Sequence, residues 1–198
     1  MPQRRLSDTM GMDALGNLTN QFLIATPSLT DPHFAHTVTY ICEHSAEGTM
    51  GIVINRPLDI TIGDVLAQTH IVPSNRFDSH QPVFGGGPVQ QEHGFVLHAP
   101  AGAWDSSLRI NEQLAVTTSR DILSAIAHRE GPAHYLVALG YAGWGAQQLE
   151  RELLQNSWLI GPATPQILFE TPVADRWQAA AQLMGIDLRL LSSEVGHA

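Results

Sequence analysis

Cys42 and His44 sit two residues apart in "VTYICEH", and a cysteine beside a histidine is the smallest set that can generate a thiolate nucleophile. Alternation along an extended chain places both side chains on one face. Side chains on one strand stand parallel, however, and seldom make the linear bond that proton transfer needs. The competing reading is a buried cysteine packed as a small apolar group. His98 closes the apolar run "GFVLH" two residues before Pro100 and is the other candidate reactive group, either lining a pocket or capping a strand end. Ten histidines also invite a metal reading. His93 and His98 are five apart and point to opposite faces of a regular strand, His33 and His36 fall in a loop, and His-Glu-x-x-His occurs nowhere. No metal and no cofactor are expected. A Gly-x-Ser-x-Gly elbow is missing as well, and Ser119, ahead of "RDILSAIAHRE", reads as a helix cap.

A second set of residues has the chemistry of binding. The stretch "VFGGGPVQQEHGFVLH" (83–98) sets glycines and a proline between two apolar runs. A phosphate cradle needs backbone N–H groups converging at the start of a helix; here Pro88 removes a donor and a strand pattern follows. Two readings stay open. Gly86 and Gly87 supply positive φ in a turn or bulge, or they form a floor where a ligand or another backbone approaches closely. Asn55-Arg56-Pro57 ends a strong strand pattern. Asn55 shapes a turn or binds; Arg56 makes a surface salt bridge or holds a carboxylate or phosphate. Tyr141 and Trp144 fall between an apolar run and a helical pattern in "LGYAGWGAQQLE", the position where open sheets gather ligands. The alternative is an apolar staple that fixes the helix, with Gln148 on its solvent face. One cleft bordered by Asn55, Arg56, Gly86, Gly87, Pro88, His98, Tyr141 and Trp144 is the expected site, with Cys42, His44 and Gln148 as secondary candidates.

Overall charge narrows the partners. A formal charge of −9 opposes binding to a phosphate backbone, which needs a clustered basic face, so direct nucleic-acid binding is not expected. The chain contains no lysine, which excludes a Walker-type phosphate lysine and a Schiff base. Its one cysteine allows no intrachain disulfide and fits a reducing compartment. "MPQRRLSDTMGMDALGNLTNQ" carries no apolar run of signal-peptide length, and no segment approaches 18 uninterrupted apolar residues. The expected location is the cytoplasm, without membrane contact.

These residues must be positioned by a modest set of elements. Strands are predicted at 22–26, 37–44, 49–57, 94–100, 113–119 and 134–140, with two more at "WLIG" and "ILFE". The pair around "SAEG" reads as a hairpin. Helices are predicted at 61–69, after the Thr61 cap, from Arg120 after Ser119, and over "AQQLERELLQ", with Leu149 and Leu153 inward and Glu150, Arg151 and Glu152 largely outward. Thr171-Pro172 opens the last helix. At 198 residues one domain is expected, over 17–191, between a flexible leader (1–16) and a tail (192–198). Strands followed by interleaved helices without a βαβ rhythm indicate α+β with a mixed, strongly curved sheet.

The ordered segments "LIATPSL", "VTYICEH", "MGIVINRP", "GGPV", "GFVLH", "LGYAGWGAQQLERE" and "NSWL" resemble the YqgE/AlgH family of small bacterial proteins, from about Leu18 to Leu190. The resemblance implies a single α+β domain whose branched sheet rolls into a partial barrel. It implies no established enzymatic reaction, and a role in transcriptional control has been attributed to one branch. His93 stands where family members tend to carry arginine, so an anion contact at that position does not carry over. Two functions remain in view: a non-enzymatic regulatory module binding a small ligand or a protein, and an uncharacterised enzyme using Cys42/His44 or His98.

Overall fold

The computed structural model describes residues 16–191. The expected tail, and the expected leader apart from Gly16, lie outside the described residues. Apolar and β-branched runs form β1 (Gln21–Ala25), β2 (Val38–Ser45) and β3 (Gly48–Val53). Next come β4 (Pro57–Thr61), α1 (Ile62–Gln68), β5 (Pro82–Gly85), β6 (Val89–Ala99), β7 (Ser107–Arg109) and β8 (Ala115–Thr117). The remainder is α2 (Arg120–Ala127), β9 (His134–Gly145), α3 (Gln148–Leu154), β10 (Trp158–Pro162), α4 (Arg176–Gln182) and α5 (Leu188–Leu191).

The ten strands found among the described residues belong to one sheet, in the order β10-β1-β2-β3-β9-β6-β8-β7, with β5 joining β9 and β4 joining β5. β9 is the branch point. Its first half pairs antiparallel with β6, its middle pairs parallel with β5 at Ala138 and Leu139, and its last residues pair antiparallel with β3. A strand that changes partner along its length cannot stay flat, so the sheet curls into a half-barrel. The domain is α+β, as the sequence pattern predicts.

Three apolar clusters fill the space. Inside the curl, Phe22, Tyr40, Ile52 and Leu97 pack against Leu168, Ala180 and Ala181. On the other side of β5, β6 and β9, Val83, Val96 and Val137 meet Leu66, Ile122 and Ile126 of α1 and α2. Under α3, Leu23, Ile41, Trp144 and Trp158 surround Leu149. Each fully buried aliphatic or aromatic side chain stabilises the fold by about 1.5–3 kcal/mol.

The local signals acted mostly as expected. Thr61 caps α1 in a capping box with Asp64. Ser119 does occupy the N-cap position of α2, but its hydroxyl donates to Asp121 rather than capping the helix. Several elements depart from expectation: β4, β5 and β7 stand where no strand is predicted, and the strand predicted over 49–57 ends at Val53. The run "ILFE" is a π-helical turn, Gln166–Glu170, not a strand; a short apolar run has no decisive period, and Pro165 favours a helical start. Thr171-Pro172 leads into a 3₁₀ turn, Val173–Asp175, so α4 begins only at Arg176. Gly140 does not end β9 but kinks it with φ +74°, and the strand continues to Gly145.

Candidate binding site

The glycines of "GGGP" serve the branch of the sheet. Gly86 donates to the Leu139 carbonyl at 2.8 Å and accepts from Val53 N–H at 2.9 Å, bridging β9 and β3. A Cβ at Gly86 would lie 2.3 Å from the Gly140 oxygen, and one at Gly87, where φ is +152°, would lie 2.1 Å from the Tyr141 carbonyl carbon. Two backbones therefore touch where side chains would forbid it. Strand β6, not a helix, begins directly after Pro88, so the phosphate cradle has no geometric basis.

Asn55 and Arg56 pin the loop between β1 and β2. Asn55 accepts from Val38 N–H and donates to the His36 carbonyl, both at 2.9 Å. Arg56 donates through Nη1 to the Pro32 and His33 carbonyls at 2.8 and 2.6 Å, and through Nη2 to Ala35 at 3.1 Å. Among the described residues it has no carboxylate partner, which replaces the surface salt-bridge reading with a carbonyl clamp. Arg56 also lines a hollow of about 240 Å³ with His33, Leu58, Gly87, Gln91 and Leu139.

The other expected members of the cleft are elsewhere. His98 is fully buried, its Nδ1 3.0 Å from the Pro100 oxygen and its Nε2 2.8 Å from Thr117 Oγ1. Burial pushes its pKa down, against a smaller opposite pull from the Pro100 carbonyl, so the ring is held neutral and satisfied. Tyr141 packs edge-on against Phe95 at 5.5 Å, on the curl side of β9. Trp144 is buried on the opposite side, 5.7 Å from Phe34 and 5.9 Å from Trp158. Both indoles donate to Glu152, at 3.0 and 2.8 Å, and Gln148 donates to the same carboxylate at 3.1 Å while accepting from Gly145 N–H. Glu152, expected to point outward, thus gathers donors under α3, and Gln148 staples the strand to the helix. The eight residues do not share one hollow: alternation along β9 sends its two aromatics to opposite faces.

Cys42 and His44 are separated by a β-bulge. The ladder between β2 and β3 runs Ile41↔Gly51 and then Glu43↔Met50, leaving Cys42 as the extra residue. Cys42 is buried in the curl, and burial drives its thiol pKa upward. His44 faces the other way, with Nδ1 2.8 Å from Thr49 Oγ1 and Nε2 3.6 Å from Glu150. The shared face predicted for the pair is lost because one inserted residue inverts the alternation. No group of three or more His, Cys, Asp or Glu among the described residues is placed to hold a metal, and no described helix is long and apolar enough to cross a membrane.

A larger hollow, about 700 Å³, opens between α1, α2 and the sheet. Val65, Val96, Leu123, Val137 and Leu139 give it an apolar floor, while Gln68, Thr69, Gln91, Glu92, Thr118 and Arg120 give it a polar rim. Gln91 and Leu139 also line the Arg56 hollow, so this trough and the Arg56 hollow adjoin at those two residues. Along the trough wall runs an open strand edge. The β6–β8 ladder stops at Val96↔Thr117, after which the chain turns into α2, and Gln90–His93 lie in the gap where the β6–β9 register breaks. Gly94 stands in this wall with nothing within 4 Å of a Cβ and no positive φ, so neither crowding nor conformation demands glycine there. Sequence reasoning missed the trough; the polar break "VQQEHG" before "FVLH" was its one visible trace.

A family model described as AlgH-like matches residues 22–189. A UPF0301 protein of Thioalkalivibrio sulfidiphilus is 58% identical over 94% of this chain and 100% of its own length. A UPF0301 protein of Nitrosococcus oceani is 54% identical over 90% of this chain and 96% of its own. Among solved structures, the AlgH protein from Pseudomonas aeruginosa superposes with a TM-score of 0.76 at 45% identity, over the whole of both chains. A Corynebacterium diphtheriae protein shares the fold at a TM-score of 0.71 and 22% identity, over 94% of this chain and 98% of that one.

Proposed function

This chain is a member of the AlgH-like family, and from that premise we propose that it is a non-enzymatic binding module of the cytoplasm that captures an extended segment of another protein. The segment lies in the trough and adds as a strand to the open edge of β6. The observation that carries this reading is Gly94: a glycine with free space above it, inside a 700 Å³ trough, next to unpaired strand. A missing side chain that no fold constraint explains keeps the trough open.

Strand addition supplies main-chain hydrogen bonds, and alternate side chains of the guest reach the apolar floor. Gln91 to Phe95 spans at most about 13 Å of edge at 3.3–3.4 Å per residue, room for the central residues of a guest strand. Glu92 carries an exposed carboxylate on the rim, which favours a guest with a basic residue. Regulation by such a module acts through protein contact; the −9 charge makes direct reading of nucleic acid the weaker route.

The reactive-group alternative has less support. A thiolate at Cys42 is disfavoured by burial, and His98 has both ring nitrogens engaged. The test is an array of octapeptides with apolar residues at alternate positions and one lysine, probed with the wild-type chain and with Gly94→Phe. Capture by wild type and its loss in a folded Gly94→Phe variant is the expected result. Equal capture by both removes the trough from consideration.

A further inference from the structure

Arg176, the first residue of α4, keeps only 6% of its surface exposed. Its Nε donates to the Thr171 carbonyl at 3.0 Å and Nη1 to the Ile54 carbonyl, while Nη2 has no acceptor among the described residues. The guanidinium lies over the Phe84 ring, 5.4 Å from its centroid. The ion pairs found among the described residues are His44–Glu150 and Arg189–Asp187, so this buried cation has no counter-charge. Carbonyl dipoles and an aromatic face offset only part of the cost of removing a full charge from water. Burial correspondingly lowers the guanidinium pKa. Nη2 is not among the sealed, unpartnered polar atoms; it opens onto the adjoining hollow, where an anion can reach it.

The place for one is present. Arg176 lines a hollow of about 170 Å³ whose other walls include Phe84, Tyr135, Phe169 and Val173. Beside it, across Gln81 and Tyr135, which are joined by a hydrogen bond from Tyr135 Oη to Gln81 Oε1 at 2.8 Å, a second hollow of about 490 Å³ carries Arg76 and Arg129, along with Asp78. Neither Arg76 nor Arg129 makes an ion pair among the described residues. In a chain of net charge −9, three arginines lining these two adjoining hollows make the region locally attractive to anions.

We infer that the hollow at Arg176 is a binding site for a small monocarboxylate with a compact apolar body, the carboxylate on Nη2 and the hydrocarbon against Phe84, Phe169 and Val173. A phosphate ester fits poorly, because its further charge would face those apolar walls without donors. The site shares only Val137 with the trough between α1 and α2, and it stands whether or not a peptide binds there.

The test compares benzoate, its neutral isostere benzamide and inorganic phosphate on the intact chain, by thermal unfolding and by backbone amide shifts. Benzoate raises Tm with concentration and shifts amides around Phe84, Phe169 and Arg176, and benzamide binds about tenfold more weakly or worse, the share of one charge-assisted hydrogen bond. A folded Val173→Phe variant, which fills the hollow, loses the response. If that variant is unstable, the benzoate–benzamide comparison on wild type decides alone. Equal effects of the two, no response to benzoate, shifts confined to Arg76 and Arg129, or displacement of benzoate by phosphate would each overturn the assignment.

Discussion

A Cβ placed on Gly140 would stand 2.5 Å from the carbonyl oxygen of Gly87; the two glycines lock against each other where β9 leaves one set of partners for the next. Gly140 takes φ +74° and Gly87 φ +152°, conformations that side chains resist. Gly86→Ala or Gly87→Ala, each driving a methyl group into the β9 backbone, is expected to cost at least about 3 kcal/mol. Urea unfolding checks it.

Glu152 is the acceptor for Trp144, Trp158 and Gln148. Glu152→Ala strands two indole N–H groups and is expected to cost about 2–4 kcal/mol, whereas Glu152→Gln keeps one acceptor oxygen and loses less. Paired denaturation curves, with tryptophan emission as the probe, measure the difference.

His98 makes stability depend on pH in a stated direction. Its folded pKa lies below the ordinary 6.5, so the unfolded chain binds the proton more readily. The ring's contribution is flat above 6.5, falls as pH drops below it, and levels off once the buried ring is protonated too. Wild type is expected to lose stability more steeply than His98→Gln as pH falls below 6.5. Parallel slopes for the two proteins would contradict this.

Cys42 is expected to resist alkylation in the native state at neutral pH and to react only on unfolding, because its thiol is buried and its pKa is raised by that burial. Mass spectrometry of iodoacetamide-treated protein, with and without urea, reads this directly.

The legible parts of the molecule were those with local causes. Thr61 and Asp64 announce α1, the β-branched runs announce β2 and β3, and the near-continuous apolar run at 134–140 announces the strand at the centre of the sheet. The rest depended on contacts between distant segments. Gly140 reads as a stop but acts as a kink, because Gly87 arrives from another strand to meet it. The bulge at Cys42 leaves no mark in residue types, so the pairing with His44 could not be judged from spacing. The trough draws its walls from α1, α2, β6 and β9, and its key glycine resembles any other. Arg176 left one trace: it precedes the buried Ala180 by four residues, on the face of α4 that turns inward.

Amide hydrogen exchange across β6, with and without an octapeptide selected from the array, is the most direct measurement. Slowed exchange at Gln91–Phe95 in wild type, absent in Gly94→Phe, is the outcome predicted for strand addition. Peptide binding that leaves those amides unchanged while protecting another edge, such as β10 or β7, would contradict it.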